Sequence, residues 1–458
     1  DPPVVTPDPV LTVSTESVQF GAQDVGSMSN SLAVTLSNNG TADITISSIS
    51  VSSDFIETNN CSNYIQIGTS CNINVRFVPS TSGSIIGTLT INANDSTGSH
   101  IVSLSGTGNV ATPPPTGLTD SGPIVIDGEQ DVVISGLRIT NPNGHCIEII
   151  SGASNIVIEN SEIGPCGKRG VEIYGSSGIT VRNNYIHDIQ NEAIQSDVSQ
   201  YIVIDSNVIE NVESGYEGYA TEQGNLAFTN NYVKNVSRRA GSPNGGNVAM
   251  LAYANGGNIR INNNIGINIL GESNPEDLIN IYKSEGKPND PIQVKNNRFK
   301  GGGPADSGGG IILGDQGGAY QLAEYNILVN PGQYGLAIVG GHDNVMQNNQ
   351  VYSDDQRDFT NVGLVVFRFN TNNDGTPPGG CYGNTAANND ITWWKGPNYM
   401  GNGLPASLDP AYNPGTGADG LASNCGTVAG WDTNRLDTQT SKPANLDMSI
   451  WDSAWDNP

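Results

Sequence analysis

Nine eight-residue blocks recur between residues 132 and 351, and they restrict the fold more than any other feature of the chain. They read VVISGLRI, IVIENSEI, ITVRNNYI, IVIDSNVI, LAFTNNYV, IRINNNIG, IQVKNNRF, YQLAEYNI and NVMQNNQV. Each is a short apolar strand, a polar corner and a second short strand. Taking the sixth position of each block as its anchor gives Leu137, Ser161, Asn184, Asn207, Asn231, Asn264, Asn297, Tyr325 and Asn349, at intervals of 24, 23, 23, 24, 33, 33, 28 and 24. A period near 23 is too short for a propeller blade and lacks the leucine signature of a horseshoe repeat, but it suits one coil of a right-handed parallel β-helix. Asparagine recurring at one corner is expected to stack as a ladder of side-chain amides from coil to coil.

Composition agrees with an all-β chain. Of 458 residues 57 are Gly, with Asn comparably frequent, and only 36% are hydrophobic. Gly and Asn are poor residues for helix interiors and good ones for turns. With 45 acidic and 19 basic side chains the formal charge is −26, which argues against a nucleic-acid partner, since a polyphosphate needs clustered Lys and Arg. No apolar run reaches the roughly 18 residues needed to span a bilayer. Six cysteines are spaced as three local pairs, Cys61 with Cys71, Cys146 with Cys166 and Cys381 with Cys425, and predict disulfides formed in an oxidising compartment. The chain opens on the Pro-rich DPPVVTPDPV, so any secretory leader is expected to precede it.

Four segments follow. Residues 1–108 alternate apolar and polar in short runs (LAVTLSN, ITISSISV, INVRFVP, GTLTINA) parted by turn signals, the pattern of a β-sandwich. The words FVPSTSGSIIGTLTI and VSLSGTG resemble the Hydin-type immunoglobulin-like module, also called choice-of-anchor D, of bacterial surface and secreted proteins; the resemblance implies a spacer or attachment role. Residues 109–117, NVATPPPTG, read as a stiff linker. The coils occupy 118–370, and 371–458 are expected to form a loop-rich cap.

Each coil carries a third strand after its anchor: CIEII, GVEIY, AIQSD, NVAML, DLINIY, GIILGD, GLAIV and GLVVF. Alternation sends Ile147, Ile149, Val171 and Ile173 into the core and turns Glu148, Glu172, Gln195, Asp197, Asn280 and Tyr282 outward as one polar line. A solvated face is the competing reading of that line. Glu148, Glu172 and Asp197 could offer hard oxygen ligands to a calcium ion.

The three long intervals mark loops inserted in neighbouring coils: SRRAGSPNGGN, GESNPE with EGKPND, and GGGPADSGGG. Long loops on a rigid solenoid are where binding surfaces are built. Nine of the 19 basic residues fall within 67 positions here, from Lys234 to Lys300, giving the window a local charge of +4. That island is a candidate anion site, with Arg238, Arg239 and Lys287 as substrate contacts and Tyr253 among the aromatics able to stack on a sugar.

The segment DLINIYKSEG resembles the "NKS" word of polysaccharide lyase family 6, the alginate and chondroitin lyases. The resemblance implies that Lys283 acts as base; where the family's Arg would follow, this chain has Asp315 and Gln316. Elimination from a uronic acid needs a neutralised carboxylate, a base and a proton donor. Lys283 and Tyr282 suit the last two, Asn280 and Gln316 the first, and His342 and Arg368 on later coils complete the expected cleft. Glycoside hydrolysis is the alternative and needs two carboxylates, for which Glu285, Asp315 and Asp343 end successive third strands. A non-catalytic adhesin is the third. The expectation is thus a secreted or cell-surface bacterial protein, monomeric, that degrades an extracellular polysaccharide, by elimination in preference to hydrolysis.

Overall fold

A computed structural model describes residues 7–24, 29–61, 64–79, 83–109, 117–219, 224–237, 245–303, 308–353, 362–367, 380–393, 411–412, 425 and 427–438. The chain divides into two compact units within the Pro-rich segment, whose residues 110–116 lie outside the described ones. Among the described residues there is no α-helix.

The first unit is a sandwich. A four-stranded sheet orders Leu11–Val13, Leu32–Asn38, Ser70–Phe77 and Phe55–Asn59. A five-stranded sheet orders Ser17–Asp24, Ser99–Asn109, Gly83–Ala93, Ile44–Val51 and Tyr64–Ile65. The inward positions of the alternating runs, Val34, Leu36, Ile73, Val75, Leu89 and Ile91, are wholly buried. Phe20, Phe55 and Phe77 cluster with ring centroids 5.1–5.9 Å apart. Gly106 leaves room for them, because a Cβ there would stand 2.4 Å from the Phe77 ring.

The second unit is the coil stack. Its strands fall into parallel sheets of 10, 12 and 13 strands in which each pairs with its equivalent one coil on. The first strand of every block lies in the 10-stranded sheet and the second in the 12-stranded sheet. The third strands, from Ile124–Asp127 through Ile147–Ile150, Val171–Tyr174, Glu192–Asp197, Ser214–Tyr219, Ala249–Ala252, Ile279–Glu285 and Ile311–Ala319, belong to the sheet of 13, which five later strands complete. Isoleucines such as Ile147, Ile149, Ile156, Ile158 and Ile163 close the core at zero exposure, each stabilising the stack by about 1.5–3 kcal/mol.

The corner ladder is continuous. Asn184, Asn207, Asn231, Asn264, Asn297, Asn326, Asn349 and Asn389 are buried, and each passes its amide to the next coil: Asn207 Nδ2 donates to Asn231 Oδ1 at 3.0 Å and Asn231 Nδ2 to Asn264 Oδ1 at 3.2 Å. Each Nδ2 also donates to a strand carbonyl, as Asn264 does to Phe228 at 2.9 Å. Two details differ from expectation. The ladder runs through Asn326, while the exposed Tyr325 sits beside it in a left-handed conformation, so the eighth block is shifted by one. Coiling also continues past residue 370: Thr385–Ala387, Asp390–Trp393 and Arg435–Thr438 add strands, and Asn389 and Asn434 add rungs. The rest of 371–458 lies largely outside the described residues. All three expected disulfides are present.

Candidate functional site

The third-strand sheet is in register across most of its length, so outward side chains line up along the coil axis at steps of about 4.8 Å. One row runs Glu148, Glu172, Gln195, Glu217, Met250, Asn280 and Ile312. A second, two residues further along each strand and three in the last, runs Asp197, Tyr219, Ala252, Tyr282 and Asp315.

Register shifts around Ile311–Ala319. Between Ile279–Glu285 and Ile311–Ala319, Asn280 faces Ile312, Tyr282 faces Asp315 and Ser284 faces Gly318. The later strand thus carries an extra residue in each of two successive intervals. Such bulges re-aim side chains and collect next to active sites. Lys283 and Gln316, one in each strand, have φ of 42° and 53°. Gln321 braces the distortion, accepting from the Gly314 N–H at 2.8 Å and donating to the Ser284 carbonyl at 2.7 Å. Gly318, at φ 104°, is required there, because a Cβ would stand 2.1 Å from that same carbonyl.

The bulge brings carboxylates together. Asp277, just before its strand, is 4% exposed and accepts from the Tyr334 hydroxyl, from the Gly309 N–H at 3.0 Å and from Asn280 Nδ2 at 2.8 Å. The same Asn280 nitrogen donates to Asp315 Oδ2 at 3.1 Å. One amide therefore spans carboxylates from adjacent coils. Burial, with the charges of Glu276 and Asp315 behind it, pushes Asp277 up to about 7 against the opposing bonds from Tyr334 and Asn280. Burial also raises Asp315, opposed by the Asn280 bond and the Lys283 charge, and raises Glu276, where the Asp315 charge adds to the effect. Glu276 and Asp315 are partly exposed, whereas Asp277 is enclosed behind them.

A second cluster lies two coils earlier. Glu217 accepts from the hydroxyls of Ser214 and Tyr219, both at 2.8 Å, and burial followed by the Glu192 charge raises it. Arg169 bonds Glu192 at 2.6 Å and lies 3.4 Å from Glu172. His145 Nδ1 is 2.8 Å from Glu172 without the alignment of a hydrogen bond, and burial lowers its pKa.

Several expectations change on this geometry. The carboxylate series Glu285, Asp315 and Asp343 does not form, because the bulges put Glu285 opposite Ala319 and Ala319 opposite His342. Asp343 follows His342 and pairs with its ring at 2.8 Å; that ring stacks on Tyr382 at 4.8 Å. The calcium site does not form either. Glu148 and Glu172 are register partners, but Asp197 faces Tyr174, and Glu172 is engaged by Arg169 and His145. Among the described residues no group of three His, Cys, Asp or Glu can hold a metal ion. The basic island is dispersed around the coil: Arg260 pairs with Asp290 and Lys295 with Glu324 on the 10-stranded sheet, while Lys234, Arg298 and Lys300 belong to the 12-stranded one. Of the aromatics in this stretch, Tyr216 is core, stacked on Phe228 at 5.6 Å with its hydroxyl bonded to Ser196.

Other expected residues do meet. Tyr282 donates to Gln316 Oε1 at 3.4 Å, Lys283 Nζ lies 5.2 Å from the Tyr282 ring centre, and Tyr253 meets the edge of that ring at 5.5 Å. Asn280 is buried between the acids, with only a small part of it reaching solvent. Lys287 is exposed and donates to Asn255 at 3.4 Å. Arg238, Arg239 and Arg368 lie outside the described residues. Glu276, Asp277, Glu217, Glu192, Arg169 and Tyr334 were not singled out as site residues. The available signal was the Glu-Asp pair closing the GESNPE insert, where a lengthened coil re-enters its strand.

Comparison with known proteins locates both units. Residues 122–284 match the right handed beta helix region family, and residues 9–107 match the HYDIN/CFA65/VesB-like, Ig-like domain. Polysaccharide lyase family 6 is not among these matches. No curated protein matches the chain. Among solved structures, the catalytic domain of a GH87 alpha-1,3-glucanase in complex with tetrasaccharides aligns at 13% identity and TM-score 0.44, covering 93% of this chain and 91% of that one. A protein of unknown function from Porphyromonas gingivalis aligns at 15% identity and TM-score 0.20 over 23% of this chain and 51% of its own. The secreted serine protease VesC from Vibrio cholerae aligns at 21% and 0.19 over 22% and 24%. The chain thus spans about half of the former and a quarter of the latter.

Proposed function

We propose that the coil unit is a glycan-cleaving enzyme whose reaction centre is the bulged segment of the third sheet, and that it cleaves by hydrolysis. One observation carries this reading: a single buried amide, Asn280, binds carboxylates from two coils, Asp277 and Asp315, with Glu276 coupled to them by charge. Glycoside hydrolysis needs one carboxyl group that keeps its proton and one that gives it up. Asp315 has a hydrogen-bond donor and the nearby Lys283 ammonium to stabilise its anion, so it is the base or nucleophile. Glu276 is raised by burial and by the Asp315 charge, and it is the general acid. Asp277 is enclosed and positions Asn280. Tyr253, Tyr282 and the Tyr382–His342 stack offer ring faces and edges for sugars.

Elimination by Lys283 with Tyr282 remains the second reading, on the contact between the two side chains. It is the weaker one because a uronate would enter among carboxylates. Three disulfides and no free cysteine support an extracellular setting. The deciding experiment incubates the protein with a panel of neutral and acidic glycans, recording new reducing ends and the ultraviolet absorbance of unsaturated uronates. Reducing ends without that absorbance are expected. Absorbance that depends on Lys283 would establish elimination, and neither signal on any glycan would leave a binding module.

A further inference from the structure

We propose that the strip of the third sheet between Glu217 and Asn280, centred on Met250, is a sugar-binding subsite that takes a non-anionic unit through its O–H or N–H donors. Glu217, Met250 and Asn280 are register partners on three successive coils, giving a strip about 10 Å long that ends at the Asp315 centre. Two buried amide oxygens without any partner lie on it. Asn280 is 8% exposed and its Oδ1 has no donor, although its nitrogen serves two carboxylates. The orientation is forced, since turning the amide over would set its oxygen against both acids. Asn247 is 6% exposed and its Oδ1 is likewise unpartnered. Its Nδ2 has only the Met250 sulfur at 3.8 Å, and its backbone N–H donates to Ser214, the residue that bonds Glu217.

A buried acceptor without a donor costs about 1–3 kcal/mol, and native proteins leave few of them. Two of them on one strip, flanked by Glu217 at one end and Asp315 and Glu276 at the other, make a surface of acceptors. Among the described residues, Arg169 is committed to Glu192 and Glu172, and Lys283 lies beyond Asn280. Against these described groups a uronate or sulfate would meet acceptor oxygens. A hydroxyl-rich or amine-bearing sugar would supply the donors that both amides lack.

The inference deepens the glycan-cleaving reading and rests on it for the neighbouring centre, but it is tested by binding alone. The full chain carrying Glu276→Gln is applied to an array of neutral, amine-bearing, uronate and sulfated oligosaccharides. Retention of neutral or amine-bearing glycans is expected, and the two arms tell hydroxyl from ammonium recognition. Adding Asn247→Leu, which removes the orphan oxygen, should weaken binding about tenfold, or 1.4 kcal/mol, without lowering the melting temperature. Met250→Arg, on the outward face, should fill the strip and abolish retention. Preference for uronate or sulfated glycans, retention of none, or binding unmoved by both substitutions would overturn the subsite. Retention that Asn247→Leu weakens, in a protein that turns over no glycan, would keep the subsite and reject the enzyme; turnover with binding insensitive to both would do the reverse.

Discussion

The coils anchored at Ser161 to Asn207 and those anchored at Asn231 to Asn297 share one corner and differ at the opposite sheet. In the earlier group intervals of 23–24 keep the third strands in register, and Arg169 with Glu172 and Glu192 forms a paired network on an even surface. In the later group coils lengthen, yet the amide ladder passes through Asn264, Asn297 and Asn326 at 2.9–3.2 Å without a break. The inserted residues are taken up elsewhere, and the third sheet bulges twice around Asp315. A rigid corner lets the opposite edge distort, because the strain of two bulges is confined to strands whose coil is already held by the ladder.

The largest expected effect separates the two groups by chemistry. Asp315→Asn or Glu276→Gln should lower kcat by about 10²–10⁴ with the fold retained, whereas Glu192→Gln should leave kcat near its original value; assays on the cleaved glycan check this, and equal losses would erase the distinction. Next comes pH. Asp277 is raised in the folded state, so the native chain holds its proton where the unfolded chain has released it. The stability it contributes is complete below the unfolded value of 3.8 and is lost as pH rises through about 7. A shift of that size corresponds to about 4 kcal/mol at most. Melting temperatures measured from pH 4 to 8 should fall with rising pH, and Asp277→Asn should flatten the slope.

The ladder offers a sharper structural comparison. Asn264→Ala leaves the Asn231 backbone and side-chain donors without their acceptor and should cost about 2–4 kcal/mol, a loss seen as a lower melting temperature. Asn207→Ala in the regular coils should cost the same; a much smaller cost there would mean that the ladder matters only where coils lengthen. Reducing Cys146–Cys166, which closes 20 residues in the early coils, should cost about 3 kcal/mol. Smallest is Glu285→Ala: exposed and opposite Ala319, it should change stability by less than about 0.5 kcal/mol, and activity should not move.

What was legible in the sequence follows from period. Registered Asn blocks disclose the coil because the ladder needs one residue type at one corner, and alternation in the third strands discloses which side chains enter the core. The same alternation turned Asn280 and Tyr282 outward beside the lengthened coils, while Lys283 and Asp315 were reached through the resemblance of DLINIYKSEG to the lyase word and through the ends of the third strands. Alternation could not align them. Glu285, Asp315 and Asp343 are equivalent only if no bulge intervenes, and nothing local in GIILGDQGG marks two extra residues. The clustering of Lys and Arg from 234 to 300 misled for a related reason: a coil distributes nearby residues over three sheets, so proximity along the chain does not mean a shared face.

The sequence by itself determined an all-β chain of sandwich and coil, its disulfide pairs and the region where the coil departs from its period, because these depend on local alternation and on repeats that each coil states for itself. Only the tertiary structure decided which carboxylates meet. Asp277 and Asp315 are 38 residues apart and come together through one amide at a register shift, a contact set by how one strand pairs with the next coil and not by any spacing within either.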